Sequence, residues 1–283
     1  MKNFNSFAFI LFIALFVSSC GPSKEEKAAD ARLAAIQSLI DNQQYELASQ
    51  QIDSVHLLYP KLIDKRKLAA ALSDTLLRRQ SVGNLAYCEK MLPLKIHEQD
   101  SLLKKFRYEK NDKYQTYGNF IYKTQVTEQN YDRTYLKCYV DENLDLYLIS
   151  QCAGSALNHR IVKVSTGDVS VSSDSVNVDT GEFYSFTNDG MYFESMTFVN
   201  QKAKDLVTFI ADNSDAKIKV ELKGKRKLSY MLSDNDKKAI AETFKLWTVM
   251  HEVKQMTIEV NKSNKRLLNI NNRNLKKQLE KQK

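Results

Sequence analysis

The chain has 283 residues, three prolines and eight glycines, which argues against a long disordered or linker-rich protein. Its length permits one core with helical attachments, or two domains. The net charge of +8 is uneven, because residues 254–283 hold nine basic and two acidic residues, a net charge of +7 (9 − 2). The basic character therefore belongs to the last segment of the chain.

The first twenty residues have the order of an export signal. Lys2 is followed by the apolar run Phe7–Val17, which is shorter than the about 20 residues needed to cross a bilayer. Val17-Ser18-Ser19-Cys20 then resembles the lipobox of bacterial lipoproteins, although Val17 stands where that family most often has leucine. The resemblance implies a signal peptide at 1–19, cleavage before Cys20, and acyl chains such as palmitate on Cys20. The alternative is an ordinary signal peptide with a chance cysteine at its end.

The implied location is the cell envelope. Stable anchoring takes at least two hydrophobic signals, which a multiply acylated Cys20 provides. Lys24-Glu25-Glu26 resembles an acidic tag that sorts some lipoproteins to the outer surface, but acids also suit the first turn of a helix. We therefore expect an outer-membrane lipid anchor and leave the periplasmic and surface-exposed faces open.

Residues 20–110 have helical periodicity. Leu33, Ile36 and Ile40 form one apolar stripe, and Tyr45 to Pro60 carries a second. The pair at about 29–61 resembles a single tetratricopeptide repeat, but no second copy follows, and such stacks normally need three or more units. We expect helical hairpins, with short coiled-coil character toward residue 106, rather than a solenoid.

Residues 111–232 change to a period of two and to a composition rich in Tyr, Phe, Val and Thr. Short strands alternate with tight turns, such as Asn188-Asp189-Gly190, whose Asp-Gly step favours a hairpin. The run Leu206–Ala211 is predicted as a strand that pairs with Lys217–Leu222. The fold class is thus α+β: N-terminal helical hairpins, a central antiparallel β-meander (open sheet or small barrel), and a long C-terminal helix.

Residues 233–283 are predicted as that helix, ending in a basic, Asn-rich tail in which order fades past Val260. Phe244, Trp247 and Met250 are expected to be buried. The basic residues of the tail are Lys262, Lys265, Arg266, Arg273, Lys276 and Lys277. Such clusters attract phosphate, and export disfavours nucleic acid as the partner, so lipid phosphate or an acidic protein is the functional interpretation. The alternative is a solvated helix face.

Dedicated metal and cofactor motifs are absent. The four histidines are scattered, no Cys-x-x-Cys occurs, and the glycines form no phosphate-binding loop. We therefore expect no metal and no cofactor, and we expect His159 to be an ordinary surface residue. Once Cys20 is acylated, Cys88, Cys138 and Cys152 are an odd set, and we predict that they are buried free thiols.

Three tyrosines form a candidate aromatic face. Tyr135 and Tyr139 share a strand face with Lys137, and Tyr147 lies on the next strand. Exposed aromatic rings on a sheet can stack on sugars or form a protein interface, although tyrosine also suits half-buried strands.

Three functions compete at this point. The first is a non-catalytic envelope lipoprotein that acts as a scaffold, accessory subunit or partner-binding module, of unknown oligomeric state. The second binds a ligand or glycan through the β domain, and an aromatic-lined cavity would favour it. The third is an envelope hydrolase with dispersed catalytic residues, which a carboxylate or His pair in one deep pocket would favour.

Overall fold

The computed structural model describes residues 23–176 and 181–282. The described residues form helices and two open antiparallel sheets, with helices first, sheets in the centre and a long helix last, so the predicted α+β class is confirmed. The predicted signal peptide, Val17-Ser18-Ser19 and Cys20 lie outside the described residues.

The helices begin and end where capping chemistry and turns place them. Ser23 accepts a hydrogen bond from the Glu26 amide (3.1 Å) and Glu26 bonds back to the Ser23 amide (2.7 Å), a capping box that starts the first helix. The helices are α1 (Lys24–Asp41), α2 (Tyr45–Leu58), α3 (Ile63–Leu103), α4 (Gln201–Asp212) and α5 (Asp234–Lys281).

The strands form one six-stranded and one four-stranded antiparallel sheet. They are β1 (Phe106–Glu109), β2 (Asn119–Tyr122), β3 (Tyr135–Asp141), β4 (Leu146–Ala153), β5 (Ile161–Thr166), β6 (Val169–Ser172), β7 (Phe183–Asn188), β8 (Met191–Val199), β9 (Lys219–Lys223) and β10 (Lys227–Met231). The larger sheet has the order β1-β2-β3-β4-β8-β7 and the smaller β10-β9-β5-β6. The β7–β8 turn has positive φ at Asp189 (48°) and Gly190 (75°), as the Asp-Gly step predicts.

The described chain divides into two compact units. The helical unit takes the described residues of Met1–Cys88 and Glu259–Lys283, and the sheet unit is Glu89–Ile258. The divisions fall inside α3 and α5, whereas the sequence placed them near residues 110 and 233. Apolar periodicity shows where a helix runs, but it does not show which core each half of a long helix joins.

Each unit has its own core. In the helical unit, Ile36 and Ile40 of α1 are fully buried with Ala48 and Val55 of α2. In the sheet unit, one face of the larger sheet packs on the smaller sheet and α4, and its side chains reach zero exposure at Leu136, Cys138, Val140, Leu146, Leu148 and Met196. Cys88, Cys138 and Cys152 are buried free thiols, as predicted.

The predicted strand Leu206–Ala211 is wrong, because the segment belongs to helix α4. The side chains with 0–1% exposure are Ala203, Leu206, Val207 and Ile210, and Phe209 beside them has 8%. These positions follow the i, i+3, i+4, i+7 spacing of a helix face. A run of six residues as apolar as Leu206–Ala211 is compatible with a strand or with a helix. Over the twelve residues of α4 the buried positions show the period of a helix.

The predicted loss of order past Val260 is also wrong, because α5 continues to Lys281. Ile270 is buried at 1% exposure. Within the helical unit α5 is bonded to α3, through Asn84 to Glu259 (2.7 Å) and Arg78 to Asn271 (2.7 Å). Contacts between residues that are distant in the sequence therefore order an asparagine-rich segment that has weak helix propensity by itself.

The predicted burial on α5 is right for Met250 and wrong for Phe244 and Trp247, which are half-buried. The positions that enter the core are Leu246 and Val249. Trp247 lies at the edge of this face because its indole N–H donates to the Leu144 carbonyl at 2.9 Å. An indole N–H that is removed from water needs such a partner.

Candidate functional site

The larger sheet has an outer face, opposite the packed core, that carries aromatic side chains. We define the outer face as the side chains of the adjacent strands β3, β4, β8 and β7 that lie on the side of the sheet opposite the packed core. They are Tyr135, Lys137, Tyr139, Tyr147, Ile149, Gln151, Phe193, Ser195, Thr197, Tyr184 and Phe186. Because side chains alternate in a strand, filling the core with one set places the other set on this face.

Two of the three predicted tyrosines are in contact on the outer face. Tyr139 and Tyr147 are direct cross-strand partners, and their rings stack at 4.6 Å with an interplanar angle of 7°. The Tyr147 hydroxyl donates to Asp141 Oδ2 at 3.3 Å. Burial and the nearby Asp141 charge raise the pKa of Tyr147 to about 12, so its hydroxyl is protonated and acts as a donor at neutral pH.

The third predicted tyrosine, Tyr135, is not available to a ligand. It is 2% exposed and lies beneath the Arg133 guanidinium, which is 4.2 Å from the ring centroid. Burial raises its pKa to about 12. The expectation of an exposed face at Tyr135 is wrong because the loop before β3 folds Arg133 over it.

The most exposed rings of the outer face lie on β7, at the edge of the sheet. Tyr184 is 63% and Phe186 46% exposed. Phe186 stacks on Phe193 of β8 at 5.0 Å and 15°, and Tyr184 contacts Phe186 at 5.6 Å. The sequence predicts this strand but gives no reason to single out its rings, since edge position depends on strand order.

The backbone of β7 presents free polar groups along the sheet edge. The Thr197 amide donates to the Glu182 carbonyl at 2.8 Å, so residues 182 and 197 are a hydrogen-bonded pair. Hydrogen-bonded and non-hydrogen-bonded pairs alternate along two antiparallel strands. Tyr184 and Phe186 therefore bond to β8, whereas the N–H and C=O groups of Phe183, Ser185 and Thr187 point away from it. No described strand lies beyond β7.

A second polar constellation lies on the core side of the same sheet. His159 Nδ1 contacts Glu194 Oε1, and His159 Nε2 lies 3.0 Å from Ser150 Oγ. Glu194 also accepts the amides of Asn158 (2.9 Å) and His159 (3.1 Å). Burial raises the pKa of Glu194, but the hydrogen bonds from His159 and Asn158 outweigh it and leave the pKa below its usual range.

This serine–histidine–carboxylate order matches a nucleophile, base and orienting acid. However, Ser150 and His159 have zero exposure and Glu194 has 1%, so no substrate reaches the serine oxygen in this structure. The constellation is a buried network that ties the loop before β5 to β8. The expectation that His159 is a surface residue is wrong, because its side chain is fully buried. The sequence does not show this, because the partner Glu194 lies 35 positions away.

The predicted basic residues lie on the helical unit's part of α5. Lys262, Lys265, Lys276 and Lys277 are exposed, and Arg266 is half-buried. Arg273 pairs with Asp74 of α3 at 2.5 Å. The basic segment is thus one face of an ordered helix.

Comparisons with protein-family models, curated proteins and solved structures find no match to this chain. Within residues 23–176 and 181–282, no group of three His, Cys, Asp or Glu side chains could hold a metal ion. None of the helices in these ranges is both long enough and apolar enough to span a membrane.

Proposed function

We propose that this protein is a non-catalytic lipoprotein of the bacterial cell envelope that binds a protein partner through strand β7. The observation that carries the proposal is the exposed edge of β7, with its free backbone groups and the rings of Tyr184 and Phe186. Burial of the Ser150 network removes the main structural argument for hydrolysis.

The partner proposed for β7 is an extended segment of another protein. Edge strands usually carry lysine, proline or a bulge that prevents pairing. The sequence of β7, Phe-Tyr-Ser-Phe-Thr-Asn, has no charge and no proline. An added strand would gain main-chain hydrogen bonds from the edge and side-chain contacts from the two rings. A ligand inside the sheet unit is less favoured, because the core face of the larger sheet is filled by side chains with zero exposure.

The anchor proposed for this lipoprotein is acylated Cys20 in the outer membrane, with the periplasmic or outer face left open. We expect Cys20→Ala to move the protein from the membrane to the soluble fraction, and we expect mass spectrometry of the native protein to find acyl chains on Cys20. Ser19→Ala keeps a small residue in the lipobox and serves as the matched control, which should stay in the membrane. An unmodified Cys20, or a variant that stays in the membrane, contradicts the anchor.

Partner binding is tested with a photocrosslinking amino acid at position 184 in intact cells. We expect one discrete protein adduct. Thr187→Pro removes an N–H that points to the free edge but leaves the pairing with β8 intact, so the adduct should fall to about a tenth, as for the loss of about 1.4 kcal/mol. Thr187→Ala truncates the same side chain, keeps the N–H, and should retain the adduct.

Three outcomes contradict this proposal: no adduct at position 184, an adduct only with a second copy of the chain, or equal loss in the Pro and Ala variants. A carbohydrate adduct would favour the glycan-binding alternative.

A further inference from the structure

The bonds between helices fix the directions of α1 and α3 in the helical unit. Lys65 of α3 pairs with Asp30 of α1 at 2.5 Å, and Arg79 pairs with Asp41 at 2.6 Å. The residue numbers rise together along the two helices. The start of α3 therefore lies at the same end of the unit as the start of α1.

Helix α5 runs in the opposite direction beside α3. Arg273 pairs with Asp74 at 2.5 Å, whereas Glu259 bonds to Asn84, so numbers on one helix rise as they fall on the other. Both helices rise by the same distance per residue. Position 65 of α3, nine residues before Asp74, is therefore level with position 282, nine residues after Arg273. The end of α5 is thus level with the Asp30–Lys65 pair, and α1 begins about 9 Å beyond it.

Helix α2 brings a fourth segment to the same place. It follows α1 after only three residues, 42–44, and Arg32 of α1 bonds to Gln51 at 2.7 Å, so the two helices run antiparallel. The turn between α2 and α3, residues 59–62, therefore lies near the start of α1. We call this end of the helical unit, formed by residues 23–30, 57–67 and 275–280, the anchor end.

The anchor end exposes large apolar side chains. Leu57 is 78% and Ile63 62% exposed, at the two sides of the α2–α3 turn. More than half of the surface of each of three further leucines is exposed: Leu58, Leu275 and Leu279. Three other exposed leucines of the helical unit, Leu47, Leu68 and Leu268, lie outside these segments, so five of the eight exposed leucine and isoleucine side chains among its described residues are at this end. Such a concentration of apolar surface indicates a face that is covered by something else.

The net charge of the anchor end indicates which kind of surface covers it. Its three segments hold eight basic and five acidic residues, a net charge of +3. Lys61, Lys67, Lys276 and Lys277 are exposed there. One acid, Asp64, is itself close to Lys67 at 3.4 Å. A second copy of this end would place like charges opposite each other, whereas an anionic lipid surface complements them.

We propose that the anchor end lies on an anionic lipid surface, with its leucines in the interface and its lysines at the lipid phosphates. This inference rests on the proposed acylation of Cys20. Only Gly21 and Pro22 lie between Cys20 and Ser23, so the three residue steps reach about 10 Å at most. An acyl chain at Cys20 therefore holds the start of α1 at the membrane surface. The anchor end then forms a second membrane contact and orients the helical unit.

The test uses the chain from Gly21 onward, which lacks the acylated residue, and measures its binding to vesicles by sedimentation. We expect binding to vesicles of phosphatidylcholine mixed with phosphatidylglycerol, and weaker binding to phosphatidylcholine alone or at high salt. The double variant Leu57→Ser, Leu58→Ser should bind more than tenfold less well. The double variant Lys276→Ser, Lys277→Ser should lose about thirtyfold.

Matched controls lie on the same helices, away from the anchor end. Val82→Ser changes an exposed apolar residue of α3, and Lys262→Ser with Lys265→Ser removes the same charge from α5 more than ten residues earlier. Both controls should keep the binding, because the lipid contact expected of the whole basic tail is assigned here to Lys276 and Lys277 alone. Equal losses in controls and test variants, equal binding to uncharged vesicles, or a dimer that Leu57→Ser with Leu58→Ser dissolves would each overturn the proposal.

This experiment is independent of the anchor test. Acylated Cys20 without vesicle binding refutes the docking surface alone. Vesicle binding with an unmodified Cys20 refutes the anchor and the orientation derived from it.

Discussion

Replacing Glu194 with alanine is expected to lower the free energy of unfolding by about 3–5 kcal/mol. Glu194 accepts the amides of Asn158 and His159 and contacts the His159 ring, and all of these groups are inside the sheet unit. The alanine variant leaves those donors buried without an acceptor, and each unmet donor costs about 1–3 kcal/mol. Urea unfolding curves at neutral pH measure the difference.

Two further variants identify the cause of that loss. Glu194→Gln keeps the size of the side chain and one acceptor oxygen, so its loss of stability should be smaller than that of Glu194→Ala. Glu128→Ala removes an exposed carboxylate that lies 3.3 Å from Arg107, and it should change stability by less than about 1 kcal/mol. An Ala variant as stable as the native chain would show that the network contributes nothing to the fold.

The sequence was sufficient to predict those parts of the fold that depend on residues close to one another in the chain. The Asp189-Gly190 step predicts the β7–β8 hairpin, and the apolar stripes of α1 and α2 predict their pairing. The sequence also places Tyr139 and Tyr147 on neighbouring strands, and the register between β3 and β4 makes them direct partners. In each case the deciding residues lie within a few positions of one another.

The sequence was insufficient where distant segments decide the structure. His159 is buried because Glu194, on strand β8, supplies its hydrogen-bond partner. The end of α5 is ordered because α3 lies beside it. Tyr184 and Phe186 became site residues only when β7 was found at an edge of the sheet. Strand order and helix pairing of this kind leave no periodic signal in a single sequence.

Asp236 supports the second large expected effect, because it joins the start of α5 to the loop before β3. Arg133 donates two hydrogen bonds of 2.7 Å to its carboxylate, and Gln125 donates a third at 3.1 Å. The Asp236 amide in turn donates to Ser233 Oγ at 3.1 Å, which caps the helix. Asp236→Ala should therefore lower the free energy of unfolding by about 3 kcal/mol at neutral pH.

The same carboxylate should make stability depend on pH. Burial raises the pKa of Asp236, but hydrogen bonds from Arg133, Ser233 and Gln125 outweigh it, so its pKa lies below the usual value. A group with a lowered folded pKa contributes its full stability above the unfolded pKa, about 4, and loses it as the pH falls through the folded value. The native chain should therefore lose stability in acid more steeply than Asp236→Ala.

Unfolding midpoints measured in urea from neutral pH down to strongly acidic pH test this difference. Glu194 also has a lowered pKa, so Asp236→Ala should keep part of the acid sensitivity rather than lose all of it. Asp64→Ala is the matched control, because its carboxylate is exposed and its curve should follow that of the native chain. Parallel curves for Asp236→Ala and the native chain would mean that the Asp236 carboxylate is equally stable as an anion in the folded and unfolded states. The hydrogen bonds from Arg133, Ser233 and Gln125 would then only offset the cost of burying the carboxylate.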